Sequence, residues 1–262
     1  MTAAAKKIFN RIKRQTGKAV GDFDLIEEGD RIAVGLSGGK DSYTLLHVLE
    51  ALRKKAPVKF DLIAVNIDPG FPGYHKQLIE QHLQQHHFNY RMVTTDSSQI
   101  IKEKLRPGTS YCAFCARLRR GNLYDQATQL DCNKIALGHH LDDFIETLLL
   151  NQFYGGSLAA MAAKLLADNS QHVVIRPLVY VEETAIEEFS RLQKFPIIPC
   201  SCPIIGAVDQ KRQQMKQLVK NLTREIPEIR NSMISAIGNV QPRYLLDQKL
   251  TKQDKAIIQR NT

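Results

Sequence analysis

VGLSGGKDSYTLLHVL, residues 34–49, joins an apolar run to a segment of helical period across two glycines. The run RIAVGL (31–36) predicts a buried strand, and Leu45, Leu46, Val48 and Leu49 mark the apolar face of a helix that begins near Ser42. A strand that turns into a helix this way aims the backbone N–H groups of Ser37, Gly38, Gly39, Lys40, Asp41 and Ser42 at one spot, where the positive end of the helix dipole favours an anion. The loop of ordinary nucleoside triphosphatases has four residues between its first glycine and Gly-Lys, with Ser or Thr directly after the lysine. Here Asp41 stands between Lys40 and Ser42. An acid in that place can hold Mg²⁺ or orient the Ser42 end of the loop. Read as plain structure, the same residues are a glycine turn with Asp41 or Ser42 capping a helix.

Four further runs suit strands: DLIAVNID (61–68), YRMVTTD (90–96), NKIALGH (133–139) and HVVIRPL (172–178). Helical patterns near 42–55, 74–87, 116–130 and 142–154 separate them. Strand alternating with helix predicts an α/β fold: a doubly wound, parallel, five-stranded sheet with helices on both faces. In such a sheet ligands sit beyond the carboxyl ends of the strands, where strand order reverses, so Gly138 should approach the first loop and let backbone come close to a nucleotide. GTSYCAFC (108–115) reads as an insertion between sheet elements. Beyond about residue 180 the chain is helical and basic, Gln210 to Arg224 being the longest such stretch. The expected organisation is a basic N-terminal helix (1–24), a nucleotide domain (25–200) with an insertion near 106–120, and a basic helical extension (201–262).

Lysine and arginine outnumber aspartate and glutamate 36 to 27, and the +9 excess favours an acidic macromolecular partner, nucleic acid before membrane. With no run of about 18 apolar residues and no signal-peptide pattern, the expectation is a cytoplasmic protein with no membrane association. In AKKIFNRIKR (5–14), Ala5, Ile8, Phe9 and Ile12 form an apolar face; the opposite basic face suits RNA or plain solvent.

ALGHHLDDFIETLLLN (136–151) places Asp142 and Asp143 at the start of a helix beside the first loop, with Glu146 a turn further on. Acids there serve the helix dipole, or share a cation with Asp41. Five cysteines, an odd number, argue for reduced thiols. Cys112 and Cys115 have C-x-x-C spacing, which by itself is half of a zinc site, a redox pair or coincidence. Cys200 and Cys202 are too close in sequence to chelate one ion together, so one of them should join the pair, making three thiolates and leaving one iron of a [4Fe–4S] cluster open. Cys132 reads as a small buried hydrophobe, and the histidines show no metal-binding spacing.

SGGKDS resembles the PP-loop of the ATP pyrophosphatase superfamily, whose members cleave ATP between its α- and β-phosphates. Together with CAFCARLRRG, ALGHHLDDFIETL, NQFYGG, VIRPL and FPIIPC, in this order over about residues 10–245, it resembles the tRNA 2-thiocytidine biosynthesis family (TtcA). The resemblance implies ATP, Mg²⁺ and a [4Fe–4S] cluster held by three cysteines. It places these on Cys112, Cys115 and Cys200, a catalytic aspartate on Asp143 and a basic residue on Arg119, which joins Lys40 in offsetting phosphate charge. The implied reaction transfers AMP to the C2 oxygen of a cytidine at position 32 of the tRNA anticodon loop, and sulfur then displaces AMP. tRNA, a sulfur donor such as a cysteine desulfurase, and a homodimer are the partners it implies. Two other readings remain at this level: a tRNA-lysidine synthetase, which shares SGGKDS but uses no cysteine cluster, and a zinc-bound, non-catalytic RNA-binding protein.

Overall fold

The computed structural model describes residues 1–106, 111–199 and 210–248. The chain begins with α1 (Ala3–Asp22) and then alternates: β1 (Arg31–Gly35), α2 (Lys40–Arg53), β2 (Asp61–Asp68), α3 (Lys76–Gln85), β3 (Tyr90–Thr94). Next come α4 (Ser97–Lys104), α5 (Tyr111–Gln129), β4 (Lys134–Ala136), α6 (Leu141–Leu150), β5 (Lys164–Leu166), β6 (Val173–Ile175) and α7 (Glu183–Gln193). Two helices, α8 (Gln210–Glu225) and α9 (Ile229–Gly238), follow.

The sheet order is β3-β2-β1-β4-β6-β5, and every pair is parallel except β5 with β6. The expected five strands are all present, but the sheet has a sixth. β5 is three residues long, exposed throughout and antiparallel at the edge, so it carries neither the length nor the alternation that marks a strand in sequence. Strand order reverses between β1 and β4, which opens a crevice at their carboxyl ends.

Period-2 alternation divides the core between two faces. Ile32, Val34, Leu62 and Ala64 point to α1, α2 and α7, whereas Ala33, Ile63, Val65 and Ile135 point to α5 through Leu123 and Ala127. The amphipathic face expected for α1 is buried at Ala5, Ile8 and Ile12, and Phe9 stacks on Phe189 of α7 at 5.1 Å. Lys6, Lys7, Arg11 and Arg14 remain on the exposed side. α8 packs Met215 and Val219 onto Leu141, Ile145 and Leu149 of α6. Cys132 is buried beside Ile135, as expected of a small hydrophobe, and burial raises its thiol pKa. No helix among the described residues is long and apolar enough to cross a membrane.

The Cys-x-x-Cys segment is helical, because Tyr111 to Cys115 form the first turn of α5, preceded by the short α4. Spacing of three then puts Cys112 and Cys115 on the same side of a helix.

At the amino-terminal end of the central strands, Lys134 is buried and pairs with Asp30 at 2.7 Å and Glu27 at 2.6 Å. Asp30 also accepts hydrogen bonds from the Glu27 backbone and from Asn133, so the lysine charge holds the start of β4 to the turn before β1. Lys134→Met should leave the Asp30 charge buried and unpaired, costing about 3–5 kcal/mol. Urea denaturation checks this, and combining it with Asp30→Asn should recover part of the loss.

Candidate active site

Past Gly35 the chain crosses Leu36, Ser37, Gly38 and Gly39 before α2 starts at Lys40. Gly38 has φ +83°, where a side chain would be strained, and a Cβ there would lie 3.1 Å from Ile79. Gly39 is the helix N-cap but has no side chain to cap with. Ser42 closes the loop instead, donating to the Gly39 carbonyl at 2.9 Å and accepting from the Ser37 N–H at 3.2 Å. The mouth of this loop is the positive end of α2, a ready anion site. The Gly38 carbonyl also accepts from the Ile198 N–H at 3.0 Å, so the FPIIPC segment is tied directly to the loop.

The turn from β4 into α6 presses on the same loop. A Cβ on Gly138 would lie 3.0 Å from the Asp41 carbonyl carbon and 3.1 Å from the Ser42 nitrogen. The missing side chain therefore lets two protein backbones meet, where the sequence had suggested an approach to nucleotide. His140 follows, with Nε2 3.7 Å from Asp41 and 3.5 Å from Asp143. Asp143 accepts from the His140 N–H at 3.0 Å, which makes it a helix cap, and it also lies 3.9 Å from Arg212 of α8. Asp142 is structural: its carboxylate accepts from the Glu183 N–H at 2.7 Å and from Arg230 at 2.8 Å.

Charge is concentrated here. Lys40 pairs with Asp41 at 3.1 Å and Glu183 at 3.0 Å, and Glu183 pairs with Lys216 of α8 at 2.6 Å. Burial opposes ionisation of Glu183, but Lys216 and Lys40 outweigh it and pull its carboxyl down to about 2. Asp41 Oδ1 is buried and makes no hydrogen bond, so it is an oxygen turned toward cations, with Lys40 its near neighbour. His139 is driven down to about 4, chiefly by burial, and its Nδ1 accepts from Arg176 at 3.2 Å.

Two clefts meet at the loop. The larger, about 270 Å³, is floored by Gly35, Leu36, Val65 and Ile67 and walled by Leu123 and Leu137. The smaller, about 180 Å³, brings together Ser37, Gly39, Tyr74, Cys115, Ile198 and Pro199. Arg119 and Ser37 line both. Thus the loop, Arg119 and one thiol of the Cys-x-x-Cys pair share one space. Cys112 is exposed on the same helix, and Cys200 and Cys202 lie outside the described residues, beginning one position after Pro199.

The PP-loop domain family matches residues 8–198 of this chain. The tRNA-cytidine(32) 2-sulfurtransferase of Syntrophotalea carbinolica is 62% identical over 250 residues, covering 95% of this chain and 96% of its own. That of Geotalea uraniireducens is 57% identical over 250 residues, covering 95% and 99%. The chain belongs to the tRNA-cytidine(32) 2-sulfurtransferase family. Among solved structures, the U34-tRNA thiolase NcsA of Methanococcus maripaludis with its [4Fe–4S] cluster has a TM-score of 0.72 at 21% identity, covering 91% of this chain and 81% of that one. That second likeness is one of fold.

In this member of the 2-sulfurtransferase family, the sequence-predicted Ser37, Gly38, Gly39, Lys40, Asp41, Ser42, Gly138, Asp143, Arg119 and Cys115 gather at one crevice. Glu183, Lys216 and Arg212 are not singled out by the sequence. Glu183 looks like any acid in a first helical turn, and Arg212 and Lys216 look like part of a basic run. Their only signal was a spacing of four on one helix.

Glu146 is buried 3.5 Å from Arg212, and burial first, then Asp143, pushes its carboxyl up to about 7. A carboxyl whose folded pKa exceeds its unfolded 4.5 favours the fold while protonated, so its contribution is lost as pH rises from about 4.5 to about 7. Glu146→Gln should remove this slope, reducing the stability lost between about pH 5 and 8 by about 2–3 kcal/mol relative to the unsubstituted protein. Denaturant melts of both proteins across that range check it.

Proposed function

We propose that this protein thiolates C2 of cytidine 32 in tRNA, using ATP to activate the carbonyl. The observation that carries the reading is the shared cleft in which the loop residues Ser37 and Gly39, Arg119, Cys115 and Pro199 face one another. A cysteine beside the nucleotide loop has no part in lysidine formation, where a lysine amine is the nucleophile, and ATP-dependent pyrophosphate release separates an enzyme from a scaffold without turnover.

The backbone N–H groups at the start of α2 and the Lys40 ammonium hold the phosphates of ATP. The apolar cleft of Leu36, Val65, Ile67 and Leu137 takes the adenine ring. The cytidine C2 oxygen attacks the α-phosphorus, and the bond to the β-phosphate oxygen breaks, releasing pyrophosphate. Arg119, which reaches both clefts, offsets the charge that gathers on the α-phosphate oxygens. Asp41 fits Mg²⁺ through its buried Oδ1, and the ion supplies charge neutralisation at the phosphates. Cys112, Cys115 and Cys200 would hold a [4Fe–4S] cluster, which would supply the sulfur. When sulfur bonds to C2, the C2–O bond breaks and AMP leaves with the former carbonyl oxygen. Asp143 and His140, one contact from Asp41, position the loop during the first step.

The target base has to leave the anticodon stack to reach this crevice. The exposed cations of α8, including Lys211, Lys220 and Arg224, and the outer face of α1 suit the tRNA backbone. Sulfur is replenished by a donor of the cysteine desulfurase type.

The test is mass spectrometry of tRNA nucleosides after reaction of the anaerobically reconstituted protein with ATP and unmodified tRNA. Cys115→Ser should lose both the iron–sulfur absorption near about 400 nm and thiolation. Cys200→Ala should do the same, while Cys202→Ala keeps both. Asp41→Ala should keep the cluster and lose ATP-dependent pyrophosphate release. Asp143→Asn should slow turnover far more than it weakens tRNA binding. Thiolation by Cys115→Ser at the unsubstituted rate would overturn the reading.

A further inference from the structure

Behind the phosphate loop, α2 and α3 bring three histidines together. His47 lies two turns into α2, and His82 and His86 stand one turn apart at the end of α3. One ring nitrogen from each lies within 4.8 Å of the other two. Ring centroids are 5.1 Å apart for His47 and His82, 4.8 Å for His47 and His86, and 4.5 Å for His82 and His86. The sequence reading found no metal spacing among the histidines, yet residues four apart on a helix are a common chelating pair.

The geometry is close to what an ion needs. Tetrahedral zinc, with Zn–N of about 2.0–2.1 Å, holds its nitrogens about 3.3 Å apart. His47 Nε2 and His82 Nε2 are 2.9 Å apart, so a small outward shift of the rings admits the ion. Opposite tautomers in a hydrogen bond account for that pair, but not for a third imidazole closing on both. All three rings are in the protonation state a metal requires. Burial, with His82 and His86 adding to it, drives His47 down to about 3, and burial with His86 drives His82 down to about 4. Burial also lowers His86. Neutral imidazoles can ligate at neutral pH, and in the His47–His82 pair one ring moves its proton from Nε2 to Nδ1 to offer that nitrogen. Phe88 and Phe195, each 5.1 Å from the His47 ring, wall the cluster, while exposed His86 leaves a side for water as fourth ligand.

We propose that His47, His82 and His86 bind one divalent transition-metal ion of the zinc class, tying the middle of α2 to the end of α3. Three imidazoles and a water suit Zn²⁺, Co²⁺, Ni²⁺ or Cu²⁺ and not Mg²⁺ or Ca²⁺, which take oxygen. The ion's role is mechanical. α2 begins at the phosphate loop, and Ile79 of α3 packs against Gly38 in that loop, so a clasp between the two helices stiffens the support behind the anion site. The site is separate from the thiols on α5.

Cobalt(II), a spectroscopic substitute for zinc, tests this on the full-length chain freed of iron. The unsubstituted protein should bind one equivalent more than His86→Ala or His47→Gln. The difference spectrum should show visible d–d bands without thiolate-to-cobalt charge transfer. Affinity at this site should fall in each variant by at least the roughly 10–100-fold that loss of even an outer-shell partner costs. Zn²⁺ should raise the thermal midpoint of the unsubstituted protein and leave that of His86→Ala unmoved; His86 is exposed, so its loss should not prevent folding. Retention of the equivalent by either variant, or a difference spectrum dominated by thiolate bands, overturns the three-ligand site and leaves a packed histidine triad.

Discussion

Everything at the crevice depends on backbone meeting backbone at Gly138. The end of β4 and the start of α2 come so close that a single methyl group at this position would sit 3.0 Å from the Asp41 carbonyl carbon. Hydrogen bonding along the sheet brings the two together, since β1 and β4 are neighbours at the point where strand order reverses. From that contact follow the placing of His140 between Asp41 and Asp143 and the alignment of α6 beside the loop. The second anchor is the hydrogen bond from Ile198 to Gly38, which brings the segment before Cys200 back across the sheet to the same loop.

The charges are arranged around this contact rather than scattered. Lys40 opens α2 at the loop, Glu183 pairs with it, and Lys216 holds Glu183 in turn. Because Glu183 is paired on both sides it stays ionised despite its burial, and it fixes the lysine without removing its charge. Glu146 shows the opposite balance. Arg212 at 3.5 Å and Lys216 favour its charge, but burial, with Asp143 beside it, prevails and raises its carboxyl to about 7. α8 therefore does more than display basic residues outward; it contributes Arg212 and Lys216 to the wall of the crevice. One helix thus joins an exposed basic surface to the electrostatics of the crevice.

Two kinds of cysteine illustrate how environment decides chemistry. Cys132 sits among Ala33, Ile63 and Ile135, and burial raises its pKa, so it behaves as a hydrophobe. Cys112 and Cys115 stand on the first turn of α5, where Cys115 lines the cleft that Arg119 and the loop share and Cys112 is exposed.

The sequence by itself determined the strands that carry the site. Apolar runs separated by helical periods made β1 to β4 and β6 legible, and SGGKDS, the Gly138 turn and Cys112-x-x-Cys115 could be read because each needs particular residue types at a local spacing. β5 could not be read, since three exposed residues at an edge leave no pattern. Nor could the start of α5 be read, because glycine, proline and serine before Tyr111 look like a loop that runs through the cysteines. Only the tertiary structure joined Glu183 to Lys40, Arg212 to Glu146 and His47 to His82 and His86. Those pairs lie on different helices, and side chains distant in sequence acquire a common chemistry only when packing fixes the distance between them and strips away the water that would screen them.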